Sequence, residues 1–318
     1  MTRRDQLGLF GDPPWPEALV ALGERIPAHV RLGTSSWTFE GWKGLIYRRR
    51  YGSKAAFVRD SLDEYARYPL FSTVGVDRSY YTPLTVDALK AYARVLPDGF
   101  RACSKVWAEL TTPRWPNDAR HGKRAGQRNP FFLDAARFED AVAGPLREAF
   151  LPHVGPLIVE LPPSALTPAE FTAALARFLD RASTAFHYAF EIRSPALFTD
   201  RYLDVLRDHP HASHLYNLHT LMPTVGAQLR RVPPMHGVSV ARLMLPVGKR
   251  YEAMKQAYQP FDRLVAPQPQ MRDDVVSLAR ATRDVGAELY VIVNNKVEGS
   301  SPWTVRALAE RLVELEDE

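Results

Sequence analysis

Hydrophobic residues in this chain form short runs that alternate with segments of helical spacing. A run of four to eight apolar residues bounded by polar or turn residues is typical of a buried strand, and apolar residues three or four positions apart are typical of a helix. Eight runs predict strands at 30–33, 73–77, 100–106, 156–161, 186–193, 212–217, 238–244 and 289–294. Helical spacing predicts helices near 54–66, 85–96, 134–149, 199–207 and 271–285.

Two further helices are predicted by their first residues. Thr167-Pro-Ala-Glu170 combines a capping box with proline at the first helical position, and Ser301-Pro302 begins the last helix in the same way. Eight strands alternating with helices predict a (β/α)8 barrel, a single α/β domain over residues 30–318. A doubly wound open sheet is the competing fold, but no glycine-rich phosphate loop follows the first strand. Residues 1–29, which contain Gly11-Asp-Pro-Pro-Trp-Pro16, are predicted to be an N-terminal extension.

The predicted fifth strand carries an opposite-charge pair on a face that is otherwise apolar. With a period of two, Glu191 and Arg193 point to one side of the segment Tyr188–Pro195, and Phe190 and Ile192 point to the other. Such a pair is either a structural ion pair inside the barrel or part of a ligand site, because both arrangements place charges at a strand end.

Every predicted strand ends in polar residues, and barrel enzymes place their chemistry at these carboxyl ends. The same period of two directs Asp77 and Glu160 into the barrel, because the valines before Asp77 and Leu157 and Val159 before Glu160 would face the helices. The strand ends are Thr34–Trp37, Asp77-Arg78, Ser104-Lys105, Glu160, Glu191 with Arg193, Asn217 with His219, Arg242 and Asn294-Asn295-Lys296. We therefore expect a polar pocket at this end of the barrel.

Composition and charge narrow the classes of protein. Hydrophobic residues make up 46% and charged residues 24% of the 318 positions, which is ordinary for a soluble globular protein. No apolar run is long enough to span a membrane, no apolar segment follows the basic start as in a signal peptide, and Cys103 is the single cysteine. These features predict a cytoplasmic protein without membrane association, disulfides or a cysteine-based zinc site.

Basic residues concentrate in the loops at the carboxyl end of the predicted barrel. The net charge is +5 and the pI is about 9.3. The basic residues are Lys43, Arg48, Arg49, Arg50, Lys54, Arg114, Arg120, His121, Lys123, Arg124, Arg128, Lys249 and Arg250, and nearby aromatic residues are Trp42, Tyr47, Tyr80, Tyr81, Trp107 and Trp115. This pattern favours an anionic ligand, either a phosphorylated small molecule or a nucleic-acid strand, although such loops can also be merely solvated.

The strand ends offer groups for glycoside hydrolysis and for metal binding. Glu160 and Glu191 would end adjacent strands, and such a carboxylate pair suits glycoside hydrolysis, but nearby Lys105 and Arg193 would keep both ionised. Asp77 and His219 could join them as metal ligands; no ligand-spacing motif involves them, so no metal is predicted.

Nucleophilic catalysis has less support. No Gly-x-Ser-x-Gly elbow is present, and Cys103 in mid-strand is expected to be a small buried residue, the alternative being a thiol with a lowered pKa beside Lys105. His209, His211 and His214 are attributed to capping and solvent exposure.

Several of these strand ends form blocks that are similar to a known family. Gly33-Thr-Ser-Ser-Trp37 with Gly41-Trp-Lys-Gly44 and Tyr47 resembles the opening signature of the YecE-like family, domain of unknown function 72. Supporting blocks are Ser79–Tyr81, Ser104-Lys105 with Glu109–Thr111, Gly155-Pro156 with Pro162-Pro163, Glu191–Arg193 with Pro195, Arg242, and Asn294-Asn295. The resemblance spans residues 30 to about 312 and implies a TIM-type barrel, without an established activity.

The chain departs from the family pattern next to these blocks. Gly75 and Asp77 stand where the family usually has Glu and Asn, and Glu160 stands where it has Gln. Thr112 and Met244 stand where the family usually has His. The resemblance therefore implies that Lys105, Glu191, Arg193 and Asn295 are retained from the family pattern while their neighbours are altered.

The resulting hypothesis is an anion-recognising pocket whose cofactors are unknown. Lys105 and Arg193 are predicted to bind a phosphate or carboxylate, with Arg242 as a third arm. Glu191 is predicted to orient Arg193 or act as a general base. The remaining candidates are Glu160 and Asp77 for catalysis, and Thr34, Trp37, Trp42, Lys43, Tyr81, Asn294 and Asn295 for ligand binding. The alternative is a protein that binds or processes nucleic acid.

Overall fold

Eight parallel strands alternate with helices in a nearly closed barrel. The computed structural model describes residues 15–163, 166–235 and 237–315, apart from the side chain of Arg120. The strands are β1 (Val30–Thr34), β2 (Thr73–Val76), β3 (Arg101–Ser104), β4 (Leu157–Leu161), β5 (Tyr188–Ile192), β6 (Ala212–Leu218), β7 (Val238–Leu243) and β8 (Glu288–Val293). Their order in the sheet is β3-β2-β1-β8-β7-β6-β5-β4, and isolated bridges from Ala102 to Val154 and from Lys105 to Ile158 join β3 to β4. The predicted barrel and all eight strands are confirmed.

The helices cover the outside of the barrel. They are α1 (Glu17–Glu24), α2 (Lys54–Ala66), α3 (Val86–Ala93), α4 (Ala108–Thr111), α5 (Ala135–Phe138), α6 (Gly144–Ala149), α7 (Pro168–Leu179), α8 (Asp200–Arg207), α9 (Val225–Arg231), α10 (Tyr251–Tyr258), α11 (Pro269–Asp284) and α12 (Ser301–Glu314). One π-helical turn, Glu139–Ala143, joins α5 to α6. The capping box predicted at Thr167 and Glu170 is present at α7. Helices α4, α9 and α10 were not predicted, because they are short and few apolar residues mark their inner faces.

Alternation along the strands separates an inner from an outer layer. Cys103, Ile158, Ala189, Leu215, Val240, Tyr290 and Ile292 fill the barrel interior. The residues between them, such as Leu157 and Val159 on β4, pack against the helices in the larger outer layer of the core. Polar side chains at the inner positions that follow these apolar residues therefore lie at the carboxyl end of the barrel interior.

The N-terminal segment packs against the barrel helices. Trp15 is buried with its ring edge-on to Tyr68, and Leu19 of α1 joins the outer core. Helix α1 contacts α12. Gly11 to Pro14 lie outside the described residues, and the domain boundary at residue 29 stays a prediction.

Within the described ranges, none of the helices has the length and apolar character needed to cross a bilayer.

Candidate functional site

Six charged side chains meet at the carboxyl end of the barrel interior, and we call them the charge cluster. They are Asp77, Lys105, Glu160, Glu191, Arg193 and Arg242. The bridge between Lys105 and Ile158 aligns Lys105 with β4, and Glu160 is the register partner of Glu191 on β5. The predicted convergence of Lys105, Glu191 and Arg193 is therefore present, since each of them contacts another member of the cluster.

One carboxylate oxygen of Glu160 is the meeting point of three cations. Its Oε2 lies 2.6 Å from Lys105 Nζ, 2.8 Å from Arg193 Nη2 and 2.7 Å from Arg242 Nη1. These are charge-assisted hydrogen-bond distances, so the three basic groups are positioned around a single anionic atom.

Glu191 connects the two arginines. Its Oε1 accepts hydrogen bonds from Arg193 at 2.8 Å (Nε) and 2.7 Å (Nη2), and its Oε2 accepts one from Arg242 Nη1 at 2.5 Å. Glu191 is fully buried and Arg242 is 1% exposed, whereas Arg193 keeps 16% exposure. Arg193 is therefore the guanidinium of this cluster that solvent can reach.

Asp77 and Tyr80 form the outer side of the cluster. The Asp77 carboxylate lies 3.1 Å from Arg242 Nη2 and 3.8 Å from Lys105 Nζ, and its side chain is 34% exposed. The Tyr80 ring lies with its centroid 4.2 Å from Lys105 Nζ, a cation–π contact. Lys105 is thus enclosed by two carboxylates and an aromatic face.

The cluster keeps its buried glutamates ionised. Burial of Glu160 opposes ionisation, but the charges of Arg193, Arg242 and Lys105 outweigh it and hold the pKa well below the usual range. Burial opposes ionisation of Glu191 as well, and Arg193 and Arg242 again lower its pKa. Neither carboxyl can act as a neutral general acid near pH 7, which argues against a glycosidase mechanism of paired carboxyls.

Three polar atoms next to the cluster lack a hydrogen-bond partner among the described residues. They are Asn217 Oδ1, His219 Nδ1 and Arg242 Nε, all buried. Asn217 and Arg242 are register partners on adjacent strands, and His219 follows directly after β6. Because buried polar side-chain atoms nearly always have a partner, these three are suited to meet a ligand or an ordered water.

Tyr80, Asn217 and His219 were missing from the predicted site residues. Asn217 and His219 follow the predicted sixth strand as polar strand-end residues, and the period of two along β6 directs Asn217 inward with Leu215. That parity was the available signal. Tyr80 sits in a 3-10 helix after β2, where no strand alternation applies.

Two predicted ligand residues have structural partners instead. Thr34 faces the helices, where its hydroxyl bonds Tyr65 Oη and the Ser36 carbonyl. Asn295 Oδ1 accepts hydrogen bonds from the backbone N–H and the hydroxyl of Ser301 at 2.8 and 2.9 Å, which caps α12. Neither side chain contacts a member of the charge cluster in these bonds.

Asn294 has the inward direction on β8, the same side as Ile292. Its Nδ2 donates to Ser35 Oγ at 2.9 Å, and its Oδ1 accepts from the Lys296 backbone N–H at 3.1 Å. Asn294 therefore lies at the rim of the barrel interior, where Ser35 ends the inner face of β1.

The remaining predicted ligand residues are distributed between core and surface. Trp37 and Trp42 are 3% and 2% exposed and belong to the outer core, with Trp42 stacked on Tyr47. Lys43 is exposed and pairs with Glu40 at 2.9 Å, and Tyr81 is 78% exposed. Among these aromatic side chains, only that of Tyr81 is open to a large ligand.

Cys103 and His214 are buried structural residues. Burial raises the pKa of the Cys103 thiol to about 12, so the alternative of a thiol with a lowered pKa is wrong. His214 is also fully buried, between Tyr202 Oη at Nδ1 and Gln228 Oε1 at Nε2, both 3.1 Å away. Solvent exposure was therefore the wrong explanation for His214, which anchors β6 to α8 and α9.

The long segment after β3 folds back on itself. Arg114 and Arg128 form an antiparallel bridge, and the ring of Trp115 lies between His121, stacked at 5.7 Å, and the Arg124 guanidinium at 4.6 Å. Arg114, Lys123, Arg124 and Arg128 are exposed. This surface is basic, and Arg128 is partly compensated by Glu170 at 2.8 Å.

No group of three or more histidine, cysteine, aspartate or glutamate side chains in the described part of the chain is arranged to hold a metal ion. The carboxylates of the charge cluster are instead paired with lysine and arginine.

Comparisons with known proteins agree with the fold. A DUF72 family protein from Enterococcus faecalis has a TM-score of 0.60 at 15% identity, covering 90% of this chain and 95% of that one. A DUF72 family protein from Thermotoga maritima has a TM-score of 0.57 at 18% identity, covering 91% and 99%. None of the curated proteins matches the chain. The family model described as "Protein of unknown function DUF72" matches residues 31–318, and the chain therefore belongs to the DUF72 family, as its resemblance to YecE-like proteins predicted.

Proposed function

We propose that this protein binds or processes a phosphorylated or otherwise anionic small molecule at the carboxyl end of the barrel. The observation that carries the proposal is the convergence of Lys105, Arg193 and Arg242 on one oxygen of Glu160. Three basic groups directed at one point have the arrangement that a phosphate or carboxylate requires.

The acidic partners hold the basic groups in place before a ligand arrives. Glu191 fixes both guanidinium groups from a fully buried position, so its role is to orient Arg193 and Arg242. A ligand then binds to groups that have already lost their rotamer freedom, which lowers the entropy cost of binding.

The exposed side of the cluster supports the approach of a ligand from solvent. Arg193 and Asp77 are the most exposed members, at 16% and 34%. An anion reaching Arg193 would enter beside Asn217 and His219. The unpartnered Asn217 Oδ1 can accept a hydrogen bond from a ligand hydroxyl group, and His219 Nδ1 can donate or accept one according to its tautomer.

A thermal-shift screen of phosphorylated and carboxylated metabolites tests the proposal. Compounds that raise the melting temperature of the wild type are expected to lose this effect on Arg193→Ala and to keep it on Arg207→Ala, a change in an exposed arginine of α8. Since Arg193→Ala also leaves buried carboxylates without a partner, each shift is measured from that variant's own melting temperature, with dissociation constants from calorimetry. Equal ligand effects on Arg193→Ala and wild type would contradict the proposal.

A second candidate, nucleic-acid binding, is favoured by the surface after β3. Its basic side chains Arg114, Lys123 and Arg124 are exposed, and the Arg124 guanidinium lies 4.6 Å from the ring of the buried Trp115, so this surface offers positive charge for phosphodiester contacts. Fluorescence anisotropy with short oligonucleotides at rising salt tests it. Replacing these three basic residues by alanine should weaken binding and flatten the salt dependence, whereas Arg193→Ala should not. Lack of binding at low salt would exclude this candidate.

A further inference from the structure

We propose that His219 takes up a proton when the charge cluster binds an anion. The inference rests on the proposed function, because it concerns the same site, and it identifies the group that balances the charge of the ligand.

His219 lies next to the charge cluster, and one of its ring nitrogens has no hydrogen-bond partner among the described residues. It follows directly after β6, and this nitrogen, Nδ1, is buried. Burial lowers the pKa of His219, and the charge of Arg193 lowers it further, against opposing effects of Glu191 and Glu160. The imidazole is therefore neutral near pH 7.

The formal charges of the cluster cancel before any ligand binds. Lys105, Arg193 and Arg242 supply three positive charges, and Asp77, Glu160 and Glu191 supply three negative ones, which leaves zero. An anion added to this neutral, largely buried set brings an uncompensated negative charge, and such a charge is costly away from water.

A proton on His219 is the least costly compensation. The charged groups that act on the imidazole are Glu160 from β4, Glu191 from β5, Arg193 directly after β5, and Arg242 from β7. The lysine and arginine side chains are already counted as cations, so they can supply no further positive charge. The neighbouring cations lower the pKa of both Glu160 and Glu191, so protonating either glutamate costs more than protonating an imidazole.

The sign of the resulting pH dependence follows from linkage. A bound anion raises the pKa of His219, so binding is strongest below the free-protein value, which itself lies below 6.5. The affinity then falls by about tenfold per pH unit between the free-state and bound-state values, and levels off above the latter.

Calorimetry with sulfate tests the inference, because sulfate stays a dianion throughout this pH range. Titrations at one pH in two buffers of different ionisation enthalpy give the number of protons taken up. We expect uptake approaching one proton per sulfate in wild type, together with a sulfate-dependent shift of the His219 ring resonances in NMR spectra. Loss of uptake and of pH dependence is expected in His219→Gln, and unchanged uptake in His209→Gln, whose ring is bonded to Asp180 on the outside of the barrel.

A second variant, Asp77→Asn, tests the charge argument without changing His219. Removal of this partly exposed carboxylate gives the cluster a net charge of +1, so sulfate should bind on the order of tenfold more tightly and with less proton uptake.

The outcomes separate this inference from the proposed function. Sulfate binding to wild type without proton uptake, or with uptake that persists in His219→Gln, would overturn the role of His219 and leave the anion site standing. Failure of sulfate to bind wild type and Asp77→Asn alike would overturn both.

Discussion

Glu160 and Arg242 are held 2.7 Å apart although 82 residues separate them in the chain. Their strands, β4 and β7, are not neighbours in the sheet, so the ion pair crosses the barrel interior. Contacts of this kind link strands across the barrel at its carboxyl end. The charge cluster therefore both stabilises this end of the barrel and is a candidate binding site.

Neutralising Glu191 is expected to destabilise the fold strongly. Glu191→Gln keeps the size of the side chain but leaves Arg242, which is 1% exposed, with one carboxylate fewer. Removing one partner of a buried ion pair typically costs about 3–5 kcal/mol, so urea unfolding should show a loss of this order in the free energy of unfolding.

The matched control is Glu139→Gln, which removes one partner of a half-exposed pair with Arg147 on the outer helices. Water replaces the lost partner there, and the midpoint of unfolding should hardly move. Equal losses in both variants would mean that the cluster contributes no more than a surface pair.

Acidification below pH 6.5 should weaken the fold through two buried histidines. Burial lowers the pKa of His214 and of His187 to about 4, from 6.5 in the unfolded chain. Because the unfolded chain then binds more protons, stability is fully present above pH 6.5 and is lost as the pH falls towards 4. The slope is about 1.4 kcal/mol per pH unit for each histidine.

Urea unfolding between pH 7.5 and 5 measures this slope. His214→Gln and His187→Gln should each reduce it, with smaller remaining contributions of the same sign from His211 and His219, whose pKa values burial also lowers. A slope unchanged in both variants would show that these rings are not the source.

The barrel and the core of the site could be predicted because both depend on strand alternation. Glu160 and Glu191 were directed inward by the apolar residues before them, and parallel strands bring their carboxyl ends together at one end of the barrel. The same logic applied to Arg193 and Lys105, whose contacts the structure contains.

Residues outside the strands could not be placed in this way. Trp42 ends a 3-10 helix of three residues, Glu40–Trp42, which is too short for a period to distinguish a side chain that packs against Phe39 from one that lines a rim. The prediction for Thr34 was displaced by one residue. Thr34 faces the helices, and its neighbour Ser35 faces the barrel interior. Asn217 Oδ1 and Arg242 Nε lack hydrogen-bond partners among the described residues, and only the three-dimensional structure reveals this.

Cys103 should be inert in the folded protein. Its thiol is fully buried in the barrel interior, and burial raises its pKa to about 12, so very little thiolate exists near pH 7. A thiol-reactive disulfide reagent should modify it only after denaturation, while Leu221→Cys, at a position that is 55% exposed, should react at once in the native state. Rapid loss of one thiol from the native wild type would contradict the buried assignment.

Asn294 and Asn295 should respond differently to alanine although they are adjacent. Asn295 Oδ1 caps the first turn of α12 through Ser301, and loss of such a cap costs about 1–2 kcal/mol, so Asn295→Ala should lower the free energy of unfolding and leave sulfate affinity unchanged. Asn294 points into the rim of the barrel beside Ser35, so Asn294→Ala should weaken sulfate binding more than it weakens the fold. Urea unfolding and calorimetry on the same two variants separate the effects. The reverse pattern, with affinity lost in Asn295→Ala and stability lost in Asn294→Ala, would show that the binding surface lies on the α12 side of β8 and not at the barrel interior.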